Sequence, residues 1–197
     1  QILSVDIPKR VGMRQLYEEA RKISKKPLCL SAAQKIVTAS EKGETAFIIT
    51  GFPVLPNKVC ETDGPPGAVV LAETLQKLNL KLIFITDKIC ADVVKAISQA
   101  SSVIEFPKND NAALAKTEQL LSKYNPSLLI SIEHPGWNNK KVYHNMTGLN
   151  ISDFVGKTDY LFELGRQRGV ATVSVGDGGN ELGLGTIARA VEKHVPY

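Results

Sequence analysis

From Thr45 onward the chain alternates short runs of β-branched and aromatic residues with longer amphipathic stretches. The runs predict strands at 45–50, 81–86, 103–106, 128–133 and 171–176. Between and after them, apolar residues recur at helical spacing, as in Ala68, Leu71, Ala72, Leu75 and Leu78, or Ile89, Val93, Ala96, Ile97 and Ala100. These stripes predict helices near 67–78, 90–101, 111–124, 153–168 and 180–193, each with one face turned to a core. Strand and helix in strict alternation is the pattern of a parallel sheet with crossover helices. The expected fold is therefore α/β, a Rossmann-like three-layer sandwich with a mostly parallel sheet and helices on both faces. The first forty residues are helical by the same test, with Leu16, Ala20 and Ile23 forming one stripe and Ala32, Ala33, Ile36 and Val37 another beyond Pro27. The whole of 1–197 is expected to form a single α/β domain, with 1–42 a helical segment packed on it. Asn111 and Ser152 are expected helix N-caps, and Gly43 and Gly169 are expected just past helix ends.

Two places break the alternation. The stretch HPGWNNKKVYHNMTGLN, 134–150, is far longer than the ~2–6 residues that usually join a strand to its helix, and long loops at that edge serve sites. The run VSVGDGGNELGLG, 173–185, passes from a strand into a glycine turn carrying Asp177, Asn180 and Glu181, and ETDGPPGA, 61–68, repeats the construction. In a parallel sheet all strand C-termini share one edge. That edge receives Glu61 and Asp63, Asp87, Glu133 with His134, and Asp177, so several carboxylates converge on one rim. Unpaired N–H groups at a helix start favour anions, and Pro65 and Pro66 remove two of them near Gly64, which makes Gly178 and Gly179 the better anion cradle.

Composition and charge narrow the class. Of 197 residues, 43% are hydrophobic and 22% charged, ordinary values for a globular chain with a core. The net charge of +4 is spread out with few aromatics beside it, which argues against nucleic acid as a partner. Cys29, Cys60 and Cys90 are odd in number and widely spaced, which fits a reducing compartment and argues against a structural metal site. No apolar run approaches the ~20 residues that span a bilayer, so no membrane partner is expected. The start at Gln1, and an end that follows a helix with no closing element, suggest a piece of a longer product, truncated at its C-terminus. GLGTIA, 183–188, matches a dinucleotide-binding pattern only after its strand has ended, and no phosphate-binding P-loop is present. No organic cofactor is expected. The rim carboxylates have the chemistry to bind Mg²⁺ or Mn²⁺, although no ligand spacing marks a metal cage.

Four blocks in order, TGF at 50–52, ETDGPPGA at 61–68, IEHPG at 132–136 with YHNMTGLNIS at 143–152, and VGDGGNELGLG at 175–185, resemble the C-terminal domain of D-glutamate cyclase and its stand-alone microbial relatives. The resemblance runs from about Gly43 to the end. It implies a lyase that converts D-glutamate to 5-oxo-D-proline with loss of water, in the cytoplasm or, in an animal, the mitochondrial matrix. Lactam formation needs a base for the amine, an acid for the departing oxygen and a holder for developing charge. Asp177 is the expected base, Glu133 or His144 the proton donor, and Gly178, Gly179 and Asn180 the anion holders. Thr62 and Asp63 would face the substrate ammonium, and Gly64, Tyr143 and Asn145 complete the expected substrate contacts. A homo-oligomer is compatible with this reading. The alternative reading is a non-catalytic sensor domain for a small molecule or nucleotide on the same rim.

Overall fold

The computed structural model describes residues 12–98 and 102–195. Two helices lead in, α1 (Met13–Ile23) and α2 (Leu28–Ser40), followed by strand β1 (Thr45–Thr50). A short antiparallel hairpin, β2 (Pro53–Val54) and β3 (Val59–Cys60), precedes α3 (Pro65–Gln76). Then come β4 (Lys81–Thr86), α4 (Ala91–Ser98), β5 (Val103–Glu105), α5 (Asp110–Tyr124), β6 (Leu128–Ile132), α6 (Asp159–Gln167), β7 (Ala171–Val175) and α7 (Ala188–His194). Strands β1, β4, β5, β6 and β7 form one parallel sheet in the order β5-β4-β1-β6-β7.

Strand residues point alternately to the two faces, and both faces are covered. Ala46, Ile48, Leu128 and Ile130 pack under Ala39 of α2, Ala68, Ala72 and Leu75 of α3 and Val94 of α4. Phe47, Ile49, Ile85 and Leu129 pack under Ala113, Leu120 and Leu121 of α5 and Tyr160, Leu161 and Phe162 of α6. The fold is thus the expected three-layer α/β sandwich. The N-terminal helices divide their roles: α2 lies against the sheet, while α1 sets Leu16 against Ile187 and Ala190.

Chain order reverses between β1 and β6, because β1 leads outward through β4 to β5 and β6 then starts on the other side of β1. At such a switch point the loops leaving the two strands part in opposite directions and open a crevice. The loop after β1 carries the hairpin and the loop after β6 carries residues 133–150.

Several expected boundaries move. The helix expected over 180–193 begins only at Ala188, after a 3₁₀ turn over Leu184–Ile187. The helix expected over 153–168 is a 3₁₀ turn at Ser152–Phe154 followed by α6 from Asp159. The cap of α5 is Asn109, whose side chain accepts from Ala112 N, and not Asn111, which lies inside the helix. Ser152 starts a 3₁₀ turn, and its hydroxyl accepts from Tyr143 N. Gly169 follows α6 with φ +80°, the expected left-handed stop. Residues 1–11 of the expected helical segment 1–42 and residues 99–101 of the helix expected over 90–101 lie outside the described residues.

Candidate active site

Strand β6 ends abruptly at Glu133, whose φ of +45° is unusual for a residue with a side chain. That turn lifts its carboxyl out of the sheet at the switch point. Gly64, at the start of α3, makes room for it: a Cβ at Gly64 would lie 2.6 Å from Glu133 Cβ. The loop before α3 therefore presses directly on the end of β6.

A cleft of about 160 Å³ opens here, lined by Glu61, Asp63, Glu133, Asp177 and Glu181, with Phe52 and Pro53 from the hairpin side and Asn145, Met146 and Asn180 opposite. No lysine, arginine or histidine lines it among the described residues. Glu133, Asp177 and Glu181 each bring an oxygen within 4.8 Å of the others, the one grouping among the described residues with the geometry to hold a metal ion.

The glycine turn has a different job from the one its sequence suggests. Glu181 folds back so that Oε1 accepts from Asp177 N (3.1 Å) and Gly178 N (2.6 Å), while Oε2 accepts from Gly179 N (2.8 Å). The backbone donors expected to hold a bound anion are thus engaged by the chain's own carboxylate, which is 5% exposed. Sequence reasoning named Glu181 in the turn without giving it a role. Four residues after Asp177 and beyond two glycines, it is spaced to reach back as an acidic residue does at a helix start.

These charges act on Glu133. Burial, then the neighbouring charges of Glu181, Asp177, Asp63 and Glu61, push its pKa up to about 8. Burial also raises the Glu181 carboxyl, against the three N–H groups that favour its charged form. The cleft therefore holds, in Glu133, a carboxyl that keeps its proton at neutral pH among four other acidic side chains.

The remaining sequence candidates scatter. Asp63 is exposed and accepts from Gly64 N (2.8 Å), and Thr62 is exposed and lines neither this cleft nor its neighbour. Asn145 lines the cleft while its Oδ1 accepts from Thr147 N and Leu149 N, which ties the long loop into a turn. Asn180 Nδ2 donates to His144 O (2.8 Å), so it fastens that loop to the glycine turn. His144 faces a second, larger cavity and not the acidic cleft.

Tyr143, expected to touch substrate, is fully buried with Phe52, Ile151 and Val155, and its hydroxyl donates to Asp159 (2.7 Å). Asp159 also accepts from Trp137 N, and burial raises its pKa to about 6. The pair anchors the long loop to α6.

Asp87 and His134, placed on the rim by sequence, lie beneath it and are fully buried. Asp87 accepts from Gly156 N, and burial holds its carboxyl well above the usual range. His134 is lowered to about 4 by burial, so it is neutral and its Nδ1 donates to Gly51 O (2.9 Å), joining the ends of β1 and β6. Cys60 is half-buried and hydrogen-bonded to buried Cys90.

An acid-lined crevice at the switch point of a doubly wound sheet lies where open α/β sheets bind their ligands. The chain matches the family model "D-glutamate cyclase-like, C-terminal" over residues 3–197, and it belongs to that family. It is also 31% identical over 186 residues to the human protein "D-glutamate cyclase, mitochondrial", an alignment covering 86% of this chain. The chain spans 30% of the length of that relative. No helix of the described residues is long and apolar enough to cross a membrane.

Proposed function

We propose that the acidic cleft binds D-glutamate and converts it to 5-oxo-D-proline with loss of water. The observation that carries this reading is the half-buried Glu133 carboxyl, its pKa pushed up to about 8, with an oxygen within 4.8 Å of one from Asp177 at the switch point. Family membership and the name of the human relative support the same chemistry.

Cyclisation joins the α-nitrogen to the δ-carbon and breaks a carbon–oxygen bond. Asp177 takes a proton from the α-ammonium and so frees its lone pair. Glu133 gives its proton to the departing oxygen, the second proton shed by the nitrogen restores Glu133, and the proton held by Asp177 passes to the same oxygen, which leaves as water. The two protons lost by nitrogen leave in the water, so no outside reductant or phosphate is needed. Because nucleophile and electrophile share one molecule, holding the chain in a bent shape replaces much of the entropy cost of bringing them together.

Glu181 is not free to act as a base, since its oxygens are engaged by three N–H groups; burial first, and then the neighbouring Glu181, hold Glu133 protonated. His144 faces the neighbouring cavity, which leaves Glu133 as the proton donor of this mechanism. A proton on Glu133 and a divalent cation such as Mg²⁺ or Mn²⁺ are two ways to relieve the same crowding of charge. The mechanism uses the proton.

The test incubates the protein with D- and L-glutamate, with and without a chelator, and follows 5-oxoproline by NMR. Formation of 5-oxo-D-proline from D-glutamate supports the reading. Stabilisation of the fold by D-glutamate with no product would instead favour the sensor reading.

A further inference from the structure

Beside the acidic cleft lies a second cavity of about 550 Å³, more than three times its volume of about 160 Å³. One wall is the long loop from Gly136 to Met146 and the other is the segment from Leu184 to Val195. Asn145, Met146, Asn180 and Glu181 line both spaces, so the two adjoin at those side chains. The larger cavity falls within the ~300–1,000 Å³ of ordinary small-molecule sites, while the cleft falls below it and is the size for a single glutamyl group.

Charge points the same way. Free glutamate brings two carboxylates and one ammonium to a cleft lined by five carboxyl side chains and no basic residue among those described. A γ-amide of glutamate brings one carboxylate and one ammonium, and so enters with no net charge. Taking an unpaired anion out of water next to fixed anions is costly, and the amide avoids one of the two.

We infer that the cleft also accepts γ-amides of D-glutamate, with the amine portion seated in the larger cavity; this rests on the cyclase reading above. The cavity wall carries Trp137, Val142, Met146, Leu184, Val191 and Val195, which suit an amine with an apolar body. It also carries Glu192 and, among the described residues, no lysine or arginine, which suits an amine that leaves as an ammonium ion.

The step balances without a co-reactant. The α-nitrogen bonds to the δ-carbon and the carbon–nitrogen bond of the amide breaks. The α-ammonium sheds two protons, the first to Asp177 and the second to Glu133 as Glu133 protonates the leaving nitrogen. The proton held by Asp177 then passes to the released amine, giving 5-oxo-D-proline and an ammonium ion.

The experiment compares D-glutamate, D-glutamine and γ-D-glutamyl benzylamide, following 5-oxoproline by NMR and benzylamine by chromatography. The expected kcat/KM for the benzylamide is at least tenfold that for D-glutamine, whose leaving ammonia uses none of the larger cavity. Gly185 lines that cavity, and a Cβ added there meets nothing within 4 Å, so Gly185→Leu is the variant chosen to occupy it. In that variant, at unchanged melting temperature, the benzylamide advantage should fall at least fivefold while D-glutamine turnover stays within twofold of wild type. A benzylamide no better than D-glutamine in the wild type, with D-glutamate cyclised, overturns the inference and leaves the cyclase reading standing. Failure of all three substrates overturns both, and turnover of the amides without D-glutamate supports the inference while removing water loss as the reaction.

Discussion

Glu181 Oε1 lies 2.6 Å from the backbone nitrogen of Gly178, so the glycine turn after β7 closes on a carboxylate from its own chain. Gly178 is small for the same reason: a Cβ there would sit 3.0 Å from that oxygen and 2.5 Å from Met146 Sδ. The turn is held in one shape before any ligand arrives, and Asp177 is held with it.

Glu181→Gln should therefore destabilise the protein by about 2 kcal/mol, since hydrogen bonds to a charged group are worth ~1.5–3 kcal/mol and an amide turns an N–H₂ toward one of the three donors. It should also lower the Glu133 pKa, because the strongest neighbouring charge is gone. Urea unfolding checks the first effect, and the alkaline limb of the activity profile, moved to lower pH, checks the second.

The Glu133 proton makes stability depend on pH in a definite sense. Folded, the group holds its proton up to about 8, whereas an unfolded glutamate releases it near ~4.3. Between those values the folded state binds the extra proton, so this contribution is full below the lower value, declines as pH rises and is gone above the upper one. Asp159, raised to about 6, adds the same sign over a narrower window. Unfolding of wild type and Glu133→Gln across pH 4–9 isolates the first group: the wild type should lose more stability than the variant between about pH 5 and 8.

Tyr143 separates support from substrate contact. Its hydroxyl is buried on Asp159, away from the cleft, so Tyr143→Phe should cost ~1–3 kcal/mol by leaving a buried carboxyl short of a partner. At a temperature where both proteins are folded, KM for D-glutamate should stay within about twofold of wild type. A KM raised tenfold or more would place the hydroxyl on the substrate after all.

Chelation tests whether the carboxylates act as a proton site or a cation site. With Glu133 protonated, turnover should survive dialysis against EDTA within about twofold. Loss of activity restored by Mn²⁺ or Mg²⁺ would move the roles of Glu133 and Asp177 to cation binding.

Strand positions were legible because apolar alternation is a local signal, and the stretches at 45–50 and 81–86 match β1 and β4 residue for residue. The loops carrying Glu61, Asp63, Glu133 and Asp177 were legible for a topological reason, since parallel strands end on one edge. The sequence reading did not reach what depends on depth. Asp87 and His134 share that edge yet lie under it, because Gly156 N and Gly51 O draw them inward. The expected helix at 180 fails because Gly183 takes a left-handed φ of +101° and a 3₁₀ turn over Leu184–Ile187 follows it, so that α7 starts only at Ala188. The two-residue strands of the hairpin were too short to show a period.

The central claim is that Glu133 and Asp177 work together as acid and base in one cleft. The most direct measurement compares wild type, Glu133→Gln and Asp177→Asn for 5-oxo-D-proline formation from D-glutamate at pH 7. Each substitution keeps the size of the side chain and removes its proton chemistry, so each should lower kcat by ~10²–10⁴ with the fold intact, as loss of a positioned acid or base does. Near-wild-type turnover in either folded variant would contradict the pairing and take that residue out of the reaction.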